Sequence, residues 1–200
     1  MTDQALLLID LQVGFDERSW GERNNPDCEA NAARMLAAAR AGGVEVIHIR
    51  HHSREPQSPL RREKPGFAWK PETAPREGER QFVKRVNSAF IGTGLAAVLD
   101  AAGITEVTIV GLTTDHCVST TARMAENLGY AVTVIADATA TFERVSPWGD
   151  RVSAPALHDG ALTSLAGEFA TVIETDAWLE AAWWGHHSSR SGSTTVAGSR

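Results

Sequence analysis

The chain has 200 residues, 42% hydrophobic and 22% charged, with 19 Lys and Arg against 25 Asp and Glu for a formal charge of −6. That much apolar content excludes whole-chain disorder, and the acidic balance excludes nucleic acid as the main partner, since phosphate binding needs a Lys and Arg surplus on some face. Two cysteines, Cys28 and Cys117, are too few for a disulfide scaffold, so each thiol needs its own account.

The first apolar run, Ala5 to Ile9, is closed by Asp10 after five residues. It is too short for a leader core, and no run approaches the ~20 apolar residues of a membrane span. The protein is therefore expected to be soluble and cytoplasmic, where thiols stay reduced. That run reads as a strand covered on both faces. Ala30 to Ala41, followed by two glycines, predicts a helix with a glycine stop, and β-branched Val44 to His51 a second strand. The pattern then breaks. His52 to Arg80 holds five prolines and many charges, and so long an excursion in a small domain is usually functional or mobile.

Regularity returns with a third strand at Gln81–Arg85 and a helix over Leu95–Ala102. A fourth strand follows at Glu106–Leu112, then a helix over Cys117–Leu128 and a fifth strand at Ala131–Ala136. A long helix is predicted over Ser153–Phe169, with Pro155 in its first turn. A sixth strand at Thr171–Glu174 and a helix at Asp176–Trp184 complete the pattern. Residues 1–184 read as one domain, and the Ser/Gly/Thr-rich 185–200 as a flexible tail. Strands alternating with helices predict an α/β, three-layer Rossmann-like fold, a six-stranded, mostly parallel sheet with helices on both faces. In such sheets ligands bind beyond the carboxyl ends of the strands, near the point where strand order reverses. The residues to weigh are therefore Asp10, His51, Lys84 and the segment Leu112–Cys117.

Cys117 follows the fourth strand by a short turn and opens a helix. Unpaired N–H groups and partial positive charge at that end favour a thiolate, the nucleophilic form, and the same N–H groups suit an oxyanion. The alternative is an inert buried cysteine. Asp10 closes an apolar strand, where a carboxylate serves either as a general base or as a cap for the next turn. Lys84 either pairs with Asp10 and favours a thiolate or is a solvated edge lysine. Three strands delivering an acid, a base and a thiol to one rim favour the chemical reading of all three.

Leu8-Ile9-Asp10-Leu11-Gln12, Lys84 after its apolar strand, and the word Gly111-Leu112-Thr113-Thr114-Asp115-His116-Cys117-Val118 resemble the isochorismatase-like cysteine hydrolase superfamily. That group includes N-carbamoylsarcosine amidohydrolases and nicotinamidases, and the resemblance spans residues from about 5 to 180. It implies a catalytic triad of Asp10, Lys84 and Cys117. It also implies a cis peptide bond between Leu112 and Thr113 that turns the N–H of Thr113, with that of Cys117, toward an oxyanion. The implied reaction is hydrolysis of a C–N bond in a small amide or carbamoyl compound through a Cys117 thioester. A vinyl-ether hydrolase using Asp10 without the thiol and a non-catalytic binding protein are the rival readings. A nucleotide-binding oxidoreductase is disfavoured, because the turn after the first strand, Leu11-Gln12-Val13-Gly14-Phe15, carries no G-x-G-x-x-G.

Nicotinamidases of the superfamily hold a metal through an Asp-x-His word after the second strand. Here that stretch is Ile49-Arg50-His51-His52-Ser53, apolar where the Asp would be, and adjacent histidines on a strand point to opposite faces. No metal and no cofactor are expected, and His51 and His52 are expected to serve as loop hydrogen-bonders. Phe15, Trp20, Asn87, His116 and Phe142 are candidate substrate contacts, the aromatic ones by forming an apolar wall or by packing locally. Trp178, Trp183 and Trp184 read as core or subunit contacts. The expected partner is a small-molecule amide rather than nucleic acid or membrane, and the resemblance implies a homodimer or homotetramer.

Overall fold

The apolar run near the N-terminus becomes the centre of a sheet. The computed structural model describes residues 2–188, with side chains as far as Ala181. In chain order its elements are β1 (Gln4–Ile9), α1 (Cys28–Gly42), β2 (Glu45–His51), β3 (Arg80–Lys84), α2 (Leu95–Ala101) and β4 (Glu106–Leu112). A π-turn over Thr114–Val118 leads into α3 (Ser119–Asn127). Then come β5 (Ala131–Ala140), β6 (Arg144–Val145), β7 (Arg151–Val152), α4 (Ala154–Leu165), β8 (Thr171–Ile173) and α5 (Thr175–Ser188).

The main sheet has the order β3-β2-β1-β4-β5-β8, and every pairing in it is parallel. This is the six-stranded parallel sheet expected, with helices on both faces. Leu6 and Leu8 of β1 face α1 and Trp178 of α5, whereas Ala5, Leu7 and Ile9 face α2, α3 and α4. A strand buried on both faces has no polar side to alternate with, which is why its sequence is a continuous apolar run. Strand order reverses between β1 and β4, and the ends of those two strands carry Asp10 and the turn to Cys117. Among the described residues no helix is long and apolar enough to cross a membrane.

Several element ends differ from expectation. β5 runs on to Ala140 because a register irregularity between Ile109 and Gly111 lets it resume pairing at Gly111–Thr139 and Leu112–Ala140. α4 stops at Leu165, and Ser153 sits before it as a cap whose Oγ accepts from the N–H of Ala156. α5 continues through Gly185 to Ser188, since one helix-interior glycine costs only about 1 kcal/mol. The last helix therefore covers 185–188, and 189–200 lie outside the described residues, as do the side chains of Trp183 and Trp184.

The excursion over 52–80 is laid down as ordered structure. Two short 3₁₀ turns, Pro65–Phe67 and Pro71–Thr73, bury Phe67 and Thr73. The N–H of Val13 donates to Ala68, and that of Lys70 to Leu11, stitching the segment to the chain after β1. Gly14 and Gly66 meet back to back there, where a Cβ on Gly66 would lie 2.7 Å from the Gly14 Cα.

Candidate active site

Asp10 follows β1 with a left-handed φ of 52°, a conformation that a short polar side chain tolerates, and its N–H donates to the Ile49 carbonyl at 2.7 Å. On the other side β4 comes unusually close. Gly111 has φ +119°, and a Cβ there would sit 1.9 Å from the Ile9 carbonyl oxygen. Only glycine fits this contact, and it brings the end of β4 against the end of β1. The Leu112–Thr113 peptide bond that follows is cis. The π-turn closes with the N–H of Val118 bonded to the Thr113 carbonyl at 3.2 Å, and Cys117 lies inside it.

Lys84 starts two strands away from β1, roughly 10 Å at ~4.8 Å per strand. Its four-carbon stem crosses β2 beside His51, its register partner. The ammonium then donates to Asp10 Oδ2 at 2.6 Å and Cys117 Sγ at 3.1 Å, and lies 3.1 Å from His51 Nδ1. Three N–H donors thus have three partners. Asp10, Lys84 and Cys117 are 0%, 1% and 8% exposed. Asp10 Oδ1 is buried and has no hydrogen-bond partner among the described residues. Asn87 Oδ1 lies 3.9 Å from Cys117 Sγ.

The electrostatics correct one expectation. Burial pushes the Cys117 thiol up to about 12, with the Asp10 charge also raising it and Lys84 working against both. The resting thiol is therefore protonated rather than a thiolate held by a helix end. Burial works against the Lys84 charge, but Asp10 and Cys117 more than offset it and raise its pKa. Lys84 Nζ thus pairs with the Asp10 carboxyl at 2.6 Å and lies 3.1 Å from the thiol sulfur.

His51 is not a loop hydrogen-bonder. It is the third partner of the Lys84 ammonium, and burial, then Lys84, lowers its pKa. Its ring is thus neutral, with Nδ1 as acceptor. His52 turns the other way, onto Phe67 at 5.9 Å. Asp10, His51 and Cys117 offer donor atoms within 4.8 Å of one another, a spacing that suits a cation. The Lys84 ammonium already sits within bonding distance of all three, so a divalent ion would have to displace a buried like charge, and the residues do not fit one.

The other candidates separate. Asn87 reaches the thiol. Phe15, Trp20 and Phe142 stack on one another with centroids 5.0–6.1 Å apart, and Phe15 and Phe142 belong to the core on the α1 face, whereas Cys117 belongs to the opposite one. The trio packs locally. His116 is half exposed beside Asp115, and burial lowers its pKa. Asp115 accepts from Arg144 at 2.8 Å and from the Thr141 hydroxyl at 2.5 Å, anchoring the turn before Cys117. Thr114 Oγ1 meets buried His158 Nδ1 at 2.9 Å. Arg144 carried no signal in the sequence, because its partner lies 29 residues away.

The model of the isochorismatase domain matches residues 4–177. The chain belongs to the isochorismatase family. Its relatives include isochorismatase family protein YrdC of Bacillus subtilis, 43% identical over 86% of this chain and 92% of that one. Streptothricin hydrolase of Streptomyces noursei is 34% identical over 86% of this chain and 61% of its own length. A crystal structure of an isochorismatase-family protein from Chromobacterium violaceum superposes with a TM-score of 0.87 at 45% identity, covering 91% of this chain and 95% of that one. More distant family members are named nicotinamidase and maleamate amidohydrolase. This isochorismatase-family chain is accordingly a hydrolase.

Proposed function

We propose that this hydrolase cleaves the C–N bond of a small amide or carbamoyl compound, with Cys117 as nucleophile, Asp10 as general base and acid, and Lys84 as the fixed charge between them. The observation that carries this reading is the Lys84 ammonium bonded at once to Asp10 and Cys117, with the second Asp10 oxygen buried and unpartnered. That oxygen is the acceptor for the thiol proton. Because the thiol rests protonated, the proton must move as the sulfur attacks, which is the work of a positioned base. The Sγ–C bond forms, and the carbonyl electrons become an oxyanion held by the N–H groups of Thr113 and Cys117. Collapse breaks the C–N bond, and Asp10 returns the proton to the departing ammonia or amine. Water, deprotonated by Asp10, then attacks the thioester and frees the acid and the thiol. Relatives named streptothricin hydrolase and maleamate amidohydrolase support hydrolytic chemistry of this class.

The test is an ammonia-release screen over small amides, carbamoyl compounds and ureas, run beside Cys117→Ala. Loss of at least about a thousandfold in turnover on any hit is expected of a missing nucleophile. A variant that keeps full turnover would exclude Cys117 from that role and leave an Asp10-driven reaction without the thiol.

A further inference from the structure

Charge is unevenly spread. Eight of the 19 Lys and Arg fall within residues 50–64 and 80–85, with two of the 25 Asp and Glu, so a basic region stands on a chain of charge −6. Within it, alternation along β3 sends Lys84 to the triad and its neighbours Val83 and Arg85 to the other side. There His52, Arg54, Arg62 and Arg85, with Val83 and Ile91 as apolar wall, line a cavity of about 400 Å³ in which no acidic residue takes part.

The basic groups of this cavity are unspent. Arg23, Arg34, Arg40, Arg61, Arg80, Arg144 and Arg151 each pair with a carboxylate, but no ion pair among the described residues uses Arg54, Arg62 or Arg85. The nearby acid Glu63 is engaged by Arg61 at 3.1 Å. His52 is only 7% exposed, and its ring nitrogens have no hydrogen-bond partner among the described residues. Burial, then Arg85, lowers its pKa, so the unliganded cavity keeps this ring neutral with a free donor and a free acceptor. Guanidinium forks match the paired oxygens of a carboxylate or phosphate.

We infer that this cavity binds a carboxylate or phosphate group. Its occupant would rest on the same backbone that fixes the triad. The N–H of His52 donates to the Lys84 carbonyl at 2.8 Å. Arg85 directly follows Lys84, and Val86, which lines the cavity, precedes Asn87 beside the thiol. Under the amide-hydrolase reading the anionic group belongs either to the substrate's own far end or to a free anion bound beside it.

Calorimetric titration of the full chain with inorganic phosphate at low ionic strength, where exposed charges are least screened, tests this. One saturable site is expected, weakened about tenfold or more by Arg85→Gln and by Arg62→Gln and unchanged in Cys117→Ala. Because binding is read without turnover, it stands or falls apart from the amidase reading. Phosphate that raises the KM of an acidic amide but not of a neutral one assigns the cavity to the substrate's own group. Phosphate that changes kcat alone assigns it to a free anion. Absence of saturable binding at concentrations to about 20 mM, that is, binding weaker than about −2.3 kcal/mol, or equal binding in both arginine variants, overturns the inference.

Discussion

Cys28 and Cys117 occupy matched surroundings on opposite faces of one sheet. Each is buried, each has an acid and a base for neighbours, and burial pushes each thiol up to about 12. The acid and base at Cys28 are Glu29 and Arg23, joined by a two-pronged pair at 2.7 and 2.8 Å, with Lys70 adding a third contact at 3.0 Å. Both Glu29 oxygens are occupied there, while Arg23 Nε is buried without a partner among the described residues. At Cys117 the pairing is incomplete, because Lys84 divides its donors among Asp10, Cys117 and His51 and leaves one Asp10 oxygen with no partner. Cys28 is 0% exposed and Cys117 is 8%. Similar residues in similar burial thus differ in two respects that matter for chemistry, a spare acceptor and an opening. A perturbed thiol pKa does not distinguish the two.

Removing the base of each region separates them most sharply. Lys84→Met leaves the Asp10 charge buried without compensation, and breaking a fully buried pair this way costs about 3–5 kcal/mol. Turnover should also fall by at least about a thousandfold. Arg23→Met disturbs a partly solvated pair in which Lys70 still serves Glu29, so a cost of about 1–3 kcal/mol with turnover unchanged is expected. Urea midpoints and ammonia release read both. Equal stability losses, or an active Lys84→Met, would erase the contrast.

Alkylation reads the opening directly. In the native protein iodoacetamide should modify Cys117 alone, with Cys28 reacting only after unfolding, as peptide mass spectrometry will show. The thiolate is the reacting form, and with the thiol near 12 the rate should climb about tenfold per pH unit between pH 8 and 10. A native adduct on Cys28 would mean that its burial is not the barrier supposed.

The sheet was legible because a doubly covered strand must be apolar throughout, so Ala5–Ile9 and Glu106–Leu112 announce themselves. Asp10 was legible as a charge at the end of such a strand, whereas Lys84 ends an edge strand of mostly exposed and half-buried residues and read equally as a solvated lysine. His51 was weighed at its strand end and then assigned to the loop, because its role depends on the β2–β3 register that places it beside Lys84, and register is a tertiary property. The reach of β5 to Ala140 was hidden for the same reason, since it depends on the irregularity opposite Gly111. Phe15, Trp20 and Phe142 follow strand ends and so read either as a pocket wall or as local packing, and the structure stacks them on one another. Asp10 as acceptor of the thiol proton was legible, but how far the thiol pKa is raised was not. It follows from burial beside a carboxylate, which no spacing in the sequence reports.

Glu29 makes the finest comparison, since it stands to Cys28 as Asp10 stands to Cys117. Burial would raise its pKa, but the Arg23 and Lys70 contacts outweigh burial and lower it. A carboxylate depressed in the folded state adds stability that is fully present above its unfolded value, about 4.3, and is lost as pH falls through the folded value below it. Glu29→Gln should therefore destabilise the protein by about 1–3 kcal/mol at pH 7, and the gap to the parent should narrow as the pH drops below about 4.3. Turnover should not change, because this carboxylate has no free acceptor to offer. Urea midpoints at neutral and acidic pH check the first part and ammonia release the second. A gap that stays constant into acid would show that Glu29 holds its neighbours by shape rather than by charge.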